Sequence, residues 1–355
     1  MHTSIIIYYF SGTGNSKRVA EWITQTSGNK GYVAECIDIS KTERRGLSSL
    51  PQETIVGFCS PTHGFNFAPI MMHFILFFPR GKNKVFIVNT RAGMKLSKLF
   101  LPGLSGMAQY FHALVLMLKG YKIVGMRPVD LPSNWIHLHP GLKKKVVDSL
   151  HEHWKNKTEK FADKILSGKH DYRALFDIIQ DLIITPIAVL YYLIGRFALA
   201  KSFYADSSCN NCDLCINECP LKAIKKVDGR PFWTFRCESC MRCINNCPKR
   251  SIQAAHGYFI GVTFLSYSLL LVLFWKYISK LILIPEDNLL WEFADILISG
   301  LITILTFFIT YRIFHFLVKI PVFRQIIKYT SFTHFHFWRR YKYKSPELKK
   351  INVSK

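Results

Sequence analysis

The chain has 355 residues, enough for two or three domains, with 49% hydrophobic residues and a formal net charge of +24. So basic a chain with so apolar a composition points to anionic lipid as a neighbour, and no zinc finger, basic zipper or RNP motif supports nucleic acid. Ten cysteines raise the question of disulfides, but eight lie between Cys209 and Cys247 in metal-ligand spacing and no secretory signal precedes them, so a reducing compartment is expected.

The β-branched run Ile5 to Phe10 predicts a strand, and "SGTGNSKR" after it predicts a loop and a helix N-terminus, a junction suited to phosphate. A P-loop would need a second glycine before Lys17, and a dinucleotide fingerprint would need a glycine at position 17 itself. What remains is a cradle for one terminal phosphomonoester, with the hydroxyls of Ser11, Thr13 and Ser16 around Gly12 and Gly14; the competing reading is an ordinary glycine turn. Further strands are expected at Ile55 to Ser60, Lys84 to Asn89 and Lys122 to Arg127, alternating with helical stretches to about His139. The fold class is therefore α/β, a doubly wound parallel sheet that binds ligand at the carboxyl ends of its strands. Those ends lead into the loops Ser60 to Pro69 and Asn89 to Met94. Phe65 and Phe67 there suit either stacking or the core. Cys36 and Cys59 read as small buried hydrophobes.

The hydroxyl-Gly-Thr-Gly-Asn-hydroxyl pattern directly after the first strand resembles the flavodoxins. That resemblance implies FMN, with residues Ser11, Gly12, Thr13, Gly14, Asn15 and Ser16 at its phosphate and Thr62, His63, Gly64, Thr90 and Gly93 beside its ring. Arg91 departs from the neutral or acidic residues common in that family; facing a reduced, anionic flavin and facing solvent are both open to it.

Next comes the apolar stretch Leu182 to Gly195, which is short and contains Pro186, so by length it reads as an interfacial or core helix. If it crossed a membrane, the units on either side would lie on opposite faces. Then come "CNNCDLCINECP" and "CESCMRCINNCP", each the Cys-x2-Cys-x2-Cys-x3-Cys-Pro run of bacterial two-cluster ferredoxins, whose fourth cysteine serves the other cluster. One [4Fe-4S] cluster is thus expected on Cys209, Cys212, Cys215 and Cys247, and a second on Cys237, Cys240, Cys243 and Cys219. Zinc, which also uses Cys-x-x-Cys pairs, is the rival. A flavodoxin-like unit followed by such a ferredoxin unit resembles the prokaryotic flavodoxin–ferredoxin fusion proteins over about Ser4 to Ala255, and the family implies electron transfer.

Beyond the cysteines, the uncharged run Tyr258 to Trp275 and the run Ile296 to Tyr311, extended through Leu317, predict two transmembrane helices. Basic residues outside them (Lys249, Arg250; Lys319, Arg324, Lys328, Arg339, Arg340) and the acidic turn Pro285 to Asn288 predict a hairpin with both ends cytoplasmic, Arg312 and His315 snorkelling. The basic, aromatic tail would lie on the membrane surface, and a metal site at His334 and His336 lacks a third ligand. The expected organisation is residues 1–165 flavodoxin-like, 166–203 connector, 204–255 a small α+β two-cluster ferredoxin domain, 256–318 hairpin and 319–355 tail. The function expected is electron transfer between FMN and the clusters at the cytoplasmic face of the membrane, with unidentified redox proteins as partners. A flavin oxidoreductase acting on quinone is the alternative, and a redox sensor ranks last.

Overall fold

Along β1 (Ser4–Tyr9) the side chains alternate between two faces of a sheet. Ile5, Ile7 and Tyr9 enter one core with Val19, Ala20, Ile23, Phe161 and Ile165. Tyr8 points the other way, its ring 5.1 Å from Phe74 and 5.3 Å from Phe78. A strand apolar on both faces belongs inside a sheet covered by helices on both sides. The computed structural model describes residues 4–42, 47–278 and 289–341. Contacts divide it into two units, residues 1–192 with 339–355, and residues 193–338.

The first unit continues with α1 (Asn15–Asn29), β2 (Val33–Asp38), β3 (Ile55–His63), β4 (Asn66–Phe67), α2 (Pro69–Phe77), β5 (Lys84–Leu96), β6 (Leu99–Leu101), α3 (Tyr110–Leu118), β7 (Lys122–Pro132), α4 (Lys144–Leu166) and α5 (Ile178–Leu190). Strands β2, β1, β3, β5 and β7 pair in parallel in that spatial order, so the five principal strands run 2-1-3-4-5, the doubly wound order of flavodoxin-like sheets. The four strands expected from sequence are all present. Two expected loops are partly strand. β3 runs on to His63 and returns as β4 across the two-residue turn Gly64-Phe65, whose φ angles of 53° and 64° are those of a hairpin turn. β5 runs through "NTRAGM" because β7 stays alongside it as far as Gly93 opposite Pro132.

The second unit contains α6 (Arg196–Ala200), β8 (Phe203–Ala205), α7 (Leu214–Asn217), β9 (Ile224–Val227), β10 (Arg230–Trp233), α8 (Arg242–Asn246), β11 (Ile252–Ala254), α9 (His256–Leu265), α10 (Val272–Ile278), α11 (Leu289–Leu317) and α12 (Pro321–Tyr329). β8 pairs with β11 and β9 with β10, both antiparallel. The two cysteine runs share one backbone design: left-handed residues recur at Asn211 and Ser239, Asp213 and Met241, Lys222 and Arg250, each pair separated by the same interval as Cys209 and Cys237. Each run thus turns tightly before a short helix, α7 or α8, and again after its Cys-Pro.

Three helical stretches are long and apolar enough to cross a membrane: Arg173–Ala200, His256–Tyr277 and Trp291–Leu317, of 28, 22 and 27 residues. The last two carry the runs expected to span. The first corrects the length argument made above: the apolar segment around Pro186 continues as helix in both directions, so its length permits a crossing. At the end of α11 the expected snorkelling fails for His315, which is buried against Phe232, while Tyr311, Phe314 and Val318 join a core with Tyr204 and Ile327. Arg312 is exposed, with its guanidinium 5.5 Å from the Phe232 ring centre. The turn Pro285 to Asn288 and the tail from residue 342 lie outside the described residues.

Candidate functional site

In the first unit, the loop from Ser11 ends at Gly14, whose φ of 102° is left-handed and starts α1 without a side-chain cap. Helix N-terminal amides and the helix dipole there favour an anion. Most polar groups of the loop are already engaged: Gly14 N donates to Ser11 Oγ (3.0 Å), Ser16 Oγ pairs with Thr90 Oγ1 (2.8 Å), and Asn15 Nδ2 donates to the Pro132 carbonyl (2.9 Å). Thr13 Oγ1 is buried and has no partner. A buried hydroxyl left unpaired costs stability unless something fills the cradle, and a phosphate oxygen is the acceptor this loop suits. The residues therefore fit the phosphate end of FMN.

The residues expected beside a flavin ring divide into two groups. Thr62 Oγ1 accepts from Asn89 Nδ2 (2.9 Å), and Thr90 is tied to the cradle through Ser16, so these two join the phosphate loop to the sheet edge. Gly64 leaves room for the ring of Tyr191, which an added Cβ would strike, and Tyr191 in turn meets Trp135 edge to face at 5.7 Å. Gly93 serves strand packing, since a Cβ there would lie 2.7 Å from Asp130 Cβ. Phe67 is fully buried and stacks on His112, the core alternative; Phe65 is half-exposed in the hairpin turn. The Nδ1 of His63 is shielded without a partner, and burial pushes the His63 pKa down to about 4, so the ring is neutral at pH 7.

Neither alternative for Arg91 holds. Its guanidinium is buried, donating to Asp130 (2.6 Å), Asp177 (2.6 Å) and Ser105 Oγ (3.2 Å); burial alone would lower its pKa, but the two carboxylates hold it above the usual arginine range. Sequence reasoning missed Tyr191, Trp135 and Tyr341. The last donates its hydroxyl to Asn15 Oδ1 (2.8 Å), beside His151 Nε2 (3.1 Å). No local pattern marks any of the three, because each reaches the site through a distant contact.

In the second unit, all eight cysteines of the two runs line one cavity, with Pro220, Pro248, Trp233 and Ile252 also on its wall. Burial raises the thiols: Cys215 to about 12, with Cys209, Cys247 and Cys212 adding, and Cys240 to about 11, with Cys219 and Glu238 adding and Arg242 opposing. Cys237 and Cys243 rise further, burial first, with Cys240 and Cys219 adding at Cys237 and Cys237, Cys240 and Cys215 adding at Cys243. Each of these four thus feels cysteines of both runs. Backbone amides address the sulfurs, Ala223 N to Cys219 (3.3 Å) and Ser239 N to Cys237 (3.4 Å), and Ser251 Oγ lies 3.2 Å from Cys247. Among the described residues, no three His, Cys, Asp or Glu side chains form a group that could hold a metal ion. Eight thiols lining one cavity, with donors already aimed at sulfur, suit bodies larger than a single ion.

Elsewhere, Cys36 is half-buried and Cys59 is buried with its thiol donating to the Ser16 carbonyl.

No family model matches the sequence, and no curated protein does. Among solved structures, the rubredoxin oxygen:oxidoreductase of Desulfovibrio gigas is 14% identical, with 46% of this chain covering 36% of that one (TM-score 0.30). An azoreductase from Bacillus anthracis is 13% identical over 45% of this chain and 99% of its own (TM-score 0.31), and oxidised flavodoxin 1 from Bacillus cereus is 14% identical over 44% and 97% (TM-score 0.28). The chain thus spans about a third of the first of these, and overlaps of this size leave function to its own residues.

Proposed function

We propose that the chain is a membrane-anchored electron-transfer flavoprotein that holds FMN in its first unit and two [4Fe-4S] clusters in its second, at the cytoplasmic face. The observation that carries the reading is the cavity lined by all eight cysteines of the two runs. When bound, FMN exchanges two electrons and can pass them singly, whereas each cluster carries one. The protein's part is to bind, insulate and bias. Cys209, Cys212, Cys215 and Cys247 would hold one cluster and Cys237, Cys240, Cys243 and Cys219 the other. Ser11 to Ser16 would hold the phosphate, with the unpartnered Thr13 hydroxyl donating to it, and His63, Thr62, Thr90 and the aromatic pair Tyr191 and Trp135 would border the ring. Neutral His63 neither adds charge beside the ring nor gives up a proton at pH 7. Helices α9 to α11 would supply the anchor, and the basic flanks Lys249, Arg250, Lys319 and Arg324 favour a cytoplasmic position for both of its ends. Redox proteins are the expected donor and acceptor. The apolar helices also favour a second reading, oxidation or reduction of quinone, which partitions into the same membrane.

Anaerobic purification in detergent, with quantification of FMN, iron and sulfide and a redox titration followed by optical and EPR spectroscopy, tests the proposal. One FMN and about eight iron per chain support it. Iron without flavin, or flavin without iron, removes the corresponding half. A flavin spectrum that responds to added quinone favours the second reading.

A further inference from the structure

The two cysteine runs are near copies, and a buried lysine stands against the residues that lead into the second. Lys201, between α6 and β8, is 2% exposed, and its Nζ donates to the Trp233 carbonyl at 2.6 Å. Three rings cage the ammonium, with centres 4.2 Å away for Phe235, 4.8 Å for Tyr311 and 5.2 Å for Phe232. Ring faces attract a cation, but they do not replace the water that an ammonium gives up. Among the described residues no carboxylate pairs with Lys201. Burial pushes the Lys201 pKa down to about 8, and the charge of Cys237 opposes that. Its neighbours Trp233 and Phe235 lead into Cys237, and Trp233 and Cys237 share the cavity wall. A buried, unpaired cation is strongly unfavourable unless an anion stands near, and a thiolate-bound cluster on the set that begins at Cys237 would supply one.

The cage is built to last. Trp233 is fully buried, its backbone N–H donates to Tyr311 Oη (3.3 Å), and Tyr311 Oη donates to the Phe203 carbonyl (2.9 Å), so the last turns of α11 fix one wall. The Trp233 indole Nε1–H has no partner within hydrogen-bond geometry; the acceptor it influences is the Cys243 sulfur of the same set. Glu238 and Arg242 also act on the Lys201 side, but both are half-exposed and opposite in sign, so their effects offset.

We propose that Lys201 is a buried cation that raises the reduction potential of the cluster held by Cys237, Cys240, Cys243 and Cys219. This rests on the two-cluster reading above. Adding an electron makes a thiolate-bound cluster more negative, and a cation held in a medium of low dielectric stabilises that state more than the oxidised one. Lys201 is a tuning residue: it need not touch iron.

The experiment uses the full-length protein purified anaerobically in detergent, in wild-type, Lys201→Met, Lys201→Gln and Lys201→Arg forms, each assayed for iron and titrated by EPR. Cys237→Ser identifies which of the two signals belongs to the Lys201 side. Expected is a shift of that signal alone to lower potential in Lys201→Met, with iron content unchanged; Lys201→Gln, whose amide can still reach the Trp233 carbonyl, moves the same way, and Lys201→Arg titrates like wild type. Iron-loaded Met and Gln variants with unmoved potentials overturn the proposal, as does an equal shift of both signals. Loss of iron from Met with full loading and a shifted signal in Gln supports it. A wild-type protein without iron overturns the two-cluster reading and this proposal with it.

Discussion

Because Thr13 Oγ1 is buried without a partner, a valine there removes nothing that holds the protein together, yet it takes away the donor aimed into the phosphate cradle. Thr13→Val is therefore expected to leave the melting temperature close to wild type while weakening FMN roughly tenfold to a hundredfold, the loss of one hydrogen bond to a charged group, about 1.5–3 kcal/mol. Fluorescence titration of flavin into flavin-depleted protein measures it, and unchanged affinity would count against the cradle. Arg91 is the opposite kind of residue. Replacing it with methionine strands Asp130 in the core, so the expected cost is about 3–5 kcal/mol in denaturant titration, with Arg91→Met/Asp130→Asn less damaging than Arg91→Met alone. The histidines respond to acid. His112 is buried with its pKa pushed down to about 3, and His63 to about 4, so both are neutral when folded and take up protons on unfolding. The unfolded chain binds more protons as pH falls below about 6.5, and stability present above that pH is lost progressively toward pH 4. Denaturant midpoints at pH 7.5 and pH 5 should show it, and His112→Asn should flatten the slope.

Elements differ in how far their own residues specify them. β1, β3, β5 and β7 were legible because each is a short apolar run in a buried parallel strand. β2 was not: none of its six positions is fully buried and its sequence "VAECID" alternates too weakly to stand out. The strand extensions at Pro61–His63 and Thr90–Leu96 depend on partners, β4, β6 and β7, that no local pattern names. The same limit hid the aromatic border of the candidate flavin site, whereas the cysteine spacing and the glycine-rich loop carry their chemistry within a dozen residues each. The contact between Gly57 and Phe86 shows how tightly adjacent strands are fitted: a Cβ at position 57 would lie 2.3 Å from the Phe86 ring. Gly57→Ala should cost about 1–3 kcal/mol through overpacking, and Phe86→Leu in the same chain should recover part of it in a thermal melt.

For the molecule as a whole, the open question is how many of the three apolar helices cross the membrane, and contacts within the first unit bear on it. Gly141 N donates to the Arg339 carbonyl (2.7 Å), Arg339 Nε donates back to the Gly141 carbonyl (2.8 Å), and Tyr341 is bonded to Asn15. Residues before the first apolar helix and after the last therefore share one unit. An odd number of crossings between them would put those partners on opposite faces of some 30 Å of hydrocarbon, so the number must be even. The helix with the strongest claim to stay out is α5. Its inner side is anchored by polar contacts, Gly106 N donating to the buried Asp181 carboxylate (2.8 Å) and Tyr110 pairing with Thr185, while Ile179, Ile183 and Ile187 are exposed along the outer side. That is the pattern of a helix lying in the interface, with its apolar face toward lipid. Two crossings, by His256–Tyr277 and Trp291–Leu317, would satisfy that condition, and the basic flanks favour the cytoplasmic face for the ends of the pair. Tags at the two ends of the full chain should both resist protease added to intact spheroplasts, while a cysteine introduced by Asp287→Cys should be labelled from outside. Digestion of one tag and protection of the other would mean three crossings, and with them a first unit that cannot hold the Tyr341 contact.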